Sequence, residues 1–506
     1  MGGKCMNTQG AVEKPPYGVI AILFVGAFVS ILNETLLNVA LPSIMKEFDA
    51  SASAVQWLST GYMLVNGVLI PASAFFVQKF TNRKLFILAM SLFTVGTVLA
   101  SFAPSLGVLL AARMIQASGS AIMMPLLMNV MLFSFPVERR GAAMGLFGLV
   151  MITAPAIGPT LSGWLIEHYS WRTLFDVVIP IAAITLLFSI FKLKNVTPQR
   201  NIKLDILSLI LSSIGFGGLL YGFSSAGEKG WDSVYVDIPI AVGLIGLLLF
   251  IFRQLRLDEP LLEFRIYRYP MFALSSAISV VLSMAMFSAM LLMPIYVQTL
   301  RGISPLHSGM LMLPGALVMG LMSPITGKLF DKFGARILAV SGLIVTIYTT
   351  HLFSNLTLDT SYSYLMILYT LRMFGMSMVM MPVMTNGLNQ LPQSMNPHGT
   401  AMNNTLQQVS GAVGSAFLVT LMQNRTESEA EKLAEAAMKE MPAGTQPDPA
   451  QMAEMKAHIM NEAMLHGINF SFTISVYIAL AALILAFFMK RVKPTKEPHK
   501  EHSLEM

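Results

Sequence analysis

Few residues of this chain can do acid–base chemistry, and those few stand inside long apolar runs. Glu34 interrupts one run, with Asn33 beside it and Asn38 one helical turn on. Arg113 interrupts another, with Gln116 and Ser120 on its own face at i+3 and i+7. Asp176 lies near the end of a third run and Arg372 within a fourth. An ionisable side chain at the centre of a membrane helix costs roughly 2.5–3.5 kcal/mol on insertion scales, so each needs a reason. One reason is proton exchange, or a counter-charge for a substrate. The other is a buried brace to a carboxylate or carbonyl. Glu34, Arg113 and Asp176 are the candidates for proton coupling, although Asp176 is close enough to an interface to be solvated. Asn33, Asn38, Gln116, Arg372, Tyr369 and Met290 are candidates for the wall of a substrate cavity.

Other chemistries lack their residues. The single cysteine, Cys5, excludes an internal disulfide and any multi-cysteine metal site. No phosphate-binding glycine loop followed by Lys-Ser/Thr occurs, and no His-Glu-x-x-His. ATP-driven pumping, zinc hydrolysis and enzymatic catalysis in general have no constellation here. No cofactor or metal is expected.

The elements that hold these residues follow from composition. Of 506 residues, 55% are apolar and 12% charged, about half the charge of an ordinary globular chain. That excludes a disordered chain, a nucleic-acid-binding module and an ordinary soluble enzyme. A helix needs about 20 apolar residues to cross a bilayer. Fourteen stretches qualify, near 17–40, 55–77, 85–104, 106–131, 142–166, 173–191, 205–223, 236–252, 271–297, 306–326, 337–354, 363–387, 401–422 and 468–489. The first is too long for a cleaved signal peptide, contains Glu34 and lacks a cleavage site. Met1-Gly2 does not continue into a myristoylation signal, and Met6 is an equally good start.

Charge then sets the orientation. With the N-terminus in the cytoplasm, 23 of the 33 Lys and Arg face inward and eight face outward, with Arg113 and Arg372 left inside spans. The asymmetry places both termini in the cytoplasm, and the basic surplus reflects topology and anionic headgroups rather than nucleic acid. The long external loop at 423–467 reads as two short amphipathic helices, Glu427–Met438 and Pro449–Leu465, split at Pro442-Ala443-Gly444.

The two halves echo each other. Gln78-Lys79-Phe80-Thr81-Asn82-Arg83 parallels Asp331-Lys332-Phe333-Gly334-Ala335-Arg336, and Gly141-Ala142-Ala143-Met144 parallels Gly399-Thr400-Ala401-Met402. Arg113 ahead of Met123-Met124-Pro125 parallels Arg372 ahead of Met380-Met381-Pro382. The expected fold is therefore an all-α integral membrane protein of 14 transmembrane helices. A cytoplasmic N-terminus covers 1–16, and an N-terminal six-helix bundle 17–191. Two inserted helices follow at 205–252, then a C-terminal six-helix bundle at 271–489 and a basic cytoplasmic tail at 490–506. Parallel repeats of this kind place a substrate site near the midplane, between the halves.

The fifth span holds Ala154-Pro155-Ala156-Ile157-Gly158-Pro159-Thr160-Leu161-Ser162-Gly163. Ala154, Gly158 and Ser162 form a small-residue stripe that admits another helix closely, while Pro155 and Pro159 each remove a backbone donor and bend the helix. A hinge or seal between halves needs both features. Met284, Met290, Met310, Met376 and neighbouring methionines either shape an adaptable pocket or face lipid. Trp57, Tyr62, Tyr296 and Tyr369 line a cavity or anchor at the interface. The sequence leaves both pairs of readings open.

These residues resemble the major facilitator superfamily, and within it the fourteen-span drug/proton antiporters, over about residues 17–490. Leu32-Asn33-Glu34-Thr35-Leu36-Leu37-Asn38-Val39-Ala40-Leu41-Pro42 is similar to that family's first-span motif, with Asn33 for the usual Asp and Glu34 next to it. This variant is closest in look to the lincomycin-resistance subgroup of Gram-positive bacteria. Arg113-x-x-Gln116-Ala117-x-Gly119 resembles the fourth-span motif whose Arg is implicated in proton coupling. Residues 154–163 resemble the antiporter motif, which implies Pro155, Gly158, Pro159 and Gly163 as its hinge. Trp171-Arg172 resembles the opening of the sixth span. Gly327-Lys328-Leu329-Phe330-Asp331-Lys332-Phe333-Gly334-x-Arg336 resembles the cytoplasmic gating motif, so Arg83, Gly327, Asp331, Gly334 and Arg336 are the expected gate. Gln78 and Thr81 replace the usual Asp and Gly of the N-terminal copy, which shifts the latch toward Asp331. The resemblance implies a monomeric, multi-pass transporter of a bacterial plasma membrane. It would export small amphiphilic drugs, lincosamide-like molecules among them, against inward proton flow. The alternatives are a dedicated exporter of an endogenous lipid or peptide, and an uncoupled channel or sensor.

Overall fold

The computed structural model describes residues 16–50, 52–136, 139–197, 199, 202, 204–440 and 449–492. Hydrocarbon offers no partner for backbone N–H and C=O groups, so a chain this apolar satisfies them within helices. Its elements are α1 (Tyr17–Phe48), α2 (Ala52–Lys79), α3 (Asn82–Ser101), α4 (Leu106–Ser134), α5 (Arg140–His168), α6 (Thr173–Lys192), α7 (Ile206–Lys229), α8 (Val234–Arg256), α9 (Pro270–Ile295), α10 (Pro305–Phe333), α11 (Ala335–Phe353), α12 (Tyr362–Ser377), α13 (Met380–Asn389), α14 (Asn396–Glu440) and α15 (Pro449–Phe487). Among the described residues, twelve helices are long and apolar enough to cross a membrane, with α12 and α13 counting together as one. The other two crossings are α9 and the first half of α14, which lie in the same bundle and bring the count to the fourteen expected.

Two helices depart from the simple span pattern. The twelfth crossing is broken between α12 and α13. Pro382 lacks an N–H, and its ring crowds the carbonyl four residues back, at Met378; the break falls at Met378-Val379. α14 is too polar to qualify on hydropathy because Asn403, Asn404, Gln407 and Gln408 run along it. It is shielded by packing against α2, α4, α7, α9 and α15.

The segment after the thirteenth crossing corrects the expectation of two separate short helices. α14 runs on without interruption to Glu440, and α15 starts at Pro449 and enters the bundle directly. No Pro or Gly lies between Gln423 and Glu440 to stop the helix. At 1.5 Å per residue, 45 and 39 residues reach roughly 68 and 58 Å, well past a hydrocarbon core of about 30 Å. The two extensions lie side by side: Gly467 packs against the Met422 carbonyl and Thr426, and Leu433, Ala436 and Ala437 face Met455 and Ile459. The expected split at 442–444 lies outside the described residues.

Packing forms one large apolar core from α1–α6, joined by α13 and the start of α14, and a second from α9–α12 and α15. The inserted pair, α7 and α8, cross at backbone contact through Gly215, Gly218, Gly243 and Gly246; a Cβ on Gly218 would sit 2.7 Å from the Pro239 carbonyl. The pair docks on α2 and α14, where Trp231 Nε1 donates to Thr420.

Candidate functional site

The polar residues of the first half meet where α1, α2 and α4 converge. Arg113, on α4, is 1% exposed. Its Nη1 donates to Gln116 Oε1 at 2.5 Å, and Gln116 Nε2 donates to Thr97 Oγ1 on α3 at 2.8 Å. The i+3 spacing read from the sequence is thus an actual bond. The guanidinium carbon lies 4.2 Å from the centroid of the Tyr62 ring, on α2. Ser30 of α1 is hydrogen-bonded to Ser120 of α4, and the buried Tyr62 hydroxyl lies beside that pair without a formed hydrogen bond. Glu34, partly buried on α1, is within electrostatic reach of both Arg113 and Tyr62. Among the described residues it makes no direct ion pair. Asn33 is buried beside it, its Nδ2 unpartnered. The Asn38 side chain lies outside the described residues.

The remaining candidates are dispersed. Arg372 is also 1% exposed; its Nε donates to Thr350 Oγ1 of α11 at 3.3 Å and its Nη2 to the Ala285 carbonyl of α9 at 3.2 Å. It ties three helices of the second core together, with Tyr369 one turn away and packed on Gly315. Met290 is 41% exposed on α9. Asp176 is exposed in the first turn of α6, where its Oδ1 accepts from Ser101 Oγ at 2.5 Å. Ser101 is one turn from Thr97 on α3, so Asp176 stands about one helical turn beyond the Arg113–Gln116–Thr97 chain, on the exposed side.

At the Asp176 end the sequence reading missed Glu47. Its carboxylate pairs with Arg172 and accepts from Trp171 Nε1 at 2.6 Å, and Arg172 Nη2 donates to the Ala103 carbonyl at 2.9 Å. Burial works against ionisation of Glu47, but the bonds from Arg172 and Trp171 and the Arg172 charge outweigh it and hold the carboxyl below its ordinary value. The Trp-Arg segment was visible in the sequence; its partner, more than 120 residues away, was not.

α5 touches both halves. Toward the Glu47 end it lies on α1: a Cβ on Gly158 would come 2.2 Å from Thr35 Oγ1, and Ser162 Oγ donates to the Leu36 carbonyl at 2.6 Å. Toward the other end it lies on α10, with Gly141 against Gly327 and Asp331, and Gly145 and Gly148 against Ser323. Gly163 is in ordinary contact with Leu306. Pro155 and Pro159 leave α5 continuous over Arg140–His168.

Asp331 sits on the start of α5, accepting from the Gly141 N–H at 3.1 Å and the Ala142 N–H at 3.2 Å. Gly334, at φ +81°, ends α10 and lets Arg491 pack on it and donate to the Asp331 and Lys332 carbonyls at 2.5 and 3.2 Å. Arg336 is exposed. Arg83 goes elsewhere: its Nη2 donates to the Ile190 carbonyl at 2.6 Å, tying α3 to α6. At the position equivalent to Asp331, Gln78 faces the start of α14, 3.1 Å from His398 Nε2.

The model of the Major Facilitator Superfamily matches residues 23–415. The chain belongs to the Major Facilitator Superfamily. Its members are transporters, not enzymes. An uncharacterized MFS-type transporter of Bacillus subtilis, YhcA, is 46% identical over 502 residues, covering 96% of this chain and 94% of that protein. The lincomycin resistance protein LmrB of the same organism is 42% identical over 477 residues, covering 94% and 96%. A multidrug resistance protein B homolog of Mycobacterium tuberculosis is 29% identical, covering 94% and 89%. The human organic anion transporter MFSD10 superposes with a TM-score of 0.64 at 13% identity, over 94% of this chain and 100% of that one, which shows the shared fold alone.

Proposed function

We propose that this superfamily transporter exports amphiphilic drugs by alternating access, in exchange for protons, from the cytoplasm of a bacterial cell. The Asp331 end of the bundle would face the cytoplasm, together with both termini. The observation that carries the reading is Glu34: a partly buried carboxyl, in reach of the Arg113 charge yet not locked to it. Opposite charge favours the carboxylate and burial favours the acid, so a small change in surroundings tips the balance. Substrate bound nearby and proton on Glu34 would then exclude each other. α5, shared between α1 and α10, would carry that change to the seam between halves. Resistance proteins among the relatives support drugs as the cargo.

One proton entering down 100 mV releases about 2.3 kcal/mol. That sustains roughly a fiftyfold outward gradient of a neutral drug without ATP. The test is Glu34→Gln in inverted membrane vesicles. Proton-driven uptake of drug should fall at least tenfold, while efflux down a preset drug gradient persists. Undiminished proton-driven uptake would sink the carboxylate role.

A further inference from the structure

Tyr62 presents its ring to Arg113 and its edge to the Ser30–Ser120 pair, and it is 1% exposed. We propose that Tyr62 is a positioning residue: its ring face holds the Arg113 guanidinium away from Glu34, so that the carboxyl stays free to exchange a proton. The inference rests on the reading of Glu34 as the exchangeable group.

The argument is geometric. A guanidinium buried away from water binds whatever negative or π-rich group it can reach. Arg113 has two such anchors, the Tyr62 face at 4.2 Å and Gln116 at 2.5 Å, the latter fixed in turn by Thr97. Tyr62 stands on α2, and Gln116, on α4 itself, is tied to α3 through Thr97. Glu34 approaches from α1, in electrostatic reach but outside ion-pair contact. Remove the ring, and the side chain keeps only Gln116. It can then swing into a direct bond with Glu34. In low dielectric that bond would hold Glu34 as carboxylate.

No other charge around Glu34 alters this logic. α2 contributes Tyr62, and α4 contributes Arg113. α5 meets this part of α1 through Gly158 and Ser162, which are uncharged. α6 carries Asp176, which is exposed and bonded to Ser101 one turn beyond Thr97, and Arg113 is the charge that acts on Glu34.

The geometry distinguishes ring from hydroxyl. Tyr62→Phe keeps the face, whereas Tyr62→Leu removes it. Dicyclohexylcarbodiimide modifies carboxyls in their protonated form, so the pH dependence of its adduct on the Glu34 peptide, followed by mass spectrometry, reads Glu34 protonation directly. Expected is a wild-type midpoint in Tyr62→Phe and a midpoint at least one pH unit lower in Tyr62→Leu, a tenfold loss of protonated Glu34. In an Arg113→Gln background, Tyr62→Leu should have no further effect. An unchanged midpoint in Tyr62→Leu, or an equal shift in Tyr62→Phe, would overturn the proposal. If Tyr62→Leu is not monodisperse, Tyr62→Met keeps the bulk without the π face and takes its place. Labelling does not depend on transport, so failure of the Glu34→Gln transport test and failure here remain distinguishable.

Discussion

Asp205 carries the clearest charge pair outside the membrane-spanning stretches. Arg253 grips it with two bonds, Nε to Oδ2 at 2.7 Å and Nη2 to Oδ1 at 3.0 Å, and Ser208 donates a third at 2.6 Å. These bonds, Arg253 first, hold the carboxyl down to about 2. A depressed carboxyl stabilises the fold above its unfolded value of about 3.9 and loses that contribution as pH falls toward about 2. Asp205→Asn should therefore melt below wild type by a constant interval from pH 7 to 5, on the order of 1 kcal/mol after solvent screening. The interval should shrink by pH 3. A deficit that persists undiminished at pH 3 in detergent melting curves would contradict the pairing. The partner helps explain what the sequence could and could not disclose at this scale. Arg113 and Gln116 were readable because one helix turn joins them. Arg253 was assigned only to a side of the membrane and Glu47 was missed, because tertiary folding alone brings their partners within reach. Tyr62 was visible only as an aromatic with two possible roles.

At the scale of elements, hydropathy located nearly every crossing because lipid leaves so little choice of backbone structure. It failed where the reason for helix lay elsewhere. The extensions of α14 and α15 are stabilised by each other rather than by lipid, and their charged faces, with Glu429 bonded to Arg425 and Lys432, resemble those of a loop. The small-residue stripe on α5 was legible as a close-packing signal, and the structure names its partner as Thr35. Gly158→Ala tests that contact. Its Cβ would lie 2.2 Å from Thr35 Oγ1 and 2.8 Å from Thr35 Cβ, and Thr35 is held by its own bond to the Leu32 carbonyl at 2.9 Å. Overpacking of this kind costs typically about 1–3 kcal/mol, read as a lower melting temperature. Adding Thr35→Ala removes the nearer atom and should recover part of the loss. A Gly158→Ala protein as stable as wild type would mean that α1 and α5 do not pack as described.

At the scale of the whole molecule, one carboxylate spans the two halves at the end opposite Glu47. Asp331, from the second half, receives the first N–H groups of α5, from the first half, where the helix dipole also favours negative charge. The pseudo-equivalent contact differs in kind, since the residue that meets His398 there is Gln78, an amide rather than a carboxylate. The seam at this end therefore depends unequally on its two sides. Asp331→Asn keeps one acceptor but loses the charge and one charge-assisted bond. On the order of 1–2 kcal/mol is then withdrawn from the arrangement in which α5 and α10 are closed, enough to raise the open population by roughly 5- to 30-fold. Spin labels on Arg139→Cys and Lys328→Cys, both exposed positions flanking the contact, in a Cys5→Ser background, would report this as growth of a longer-distance component. A distance distribution unchanged by Asp331→Asn would move the control of this seam away from the carboxylate and onto the glycine contacts between Gly141 and Gly327.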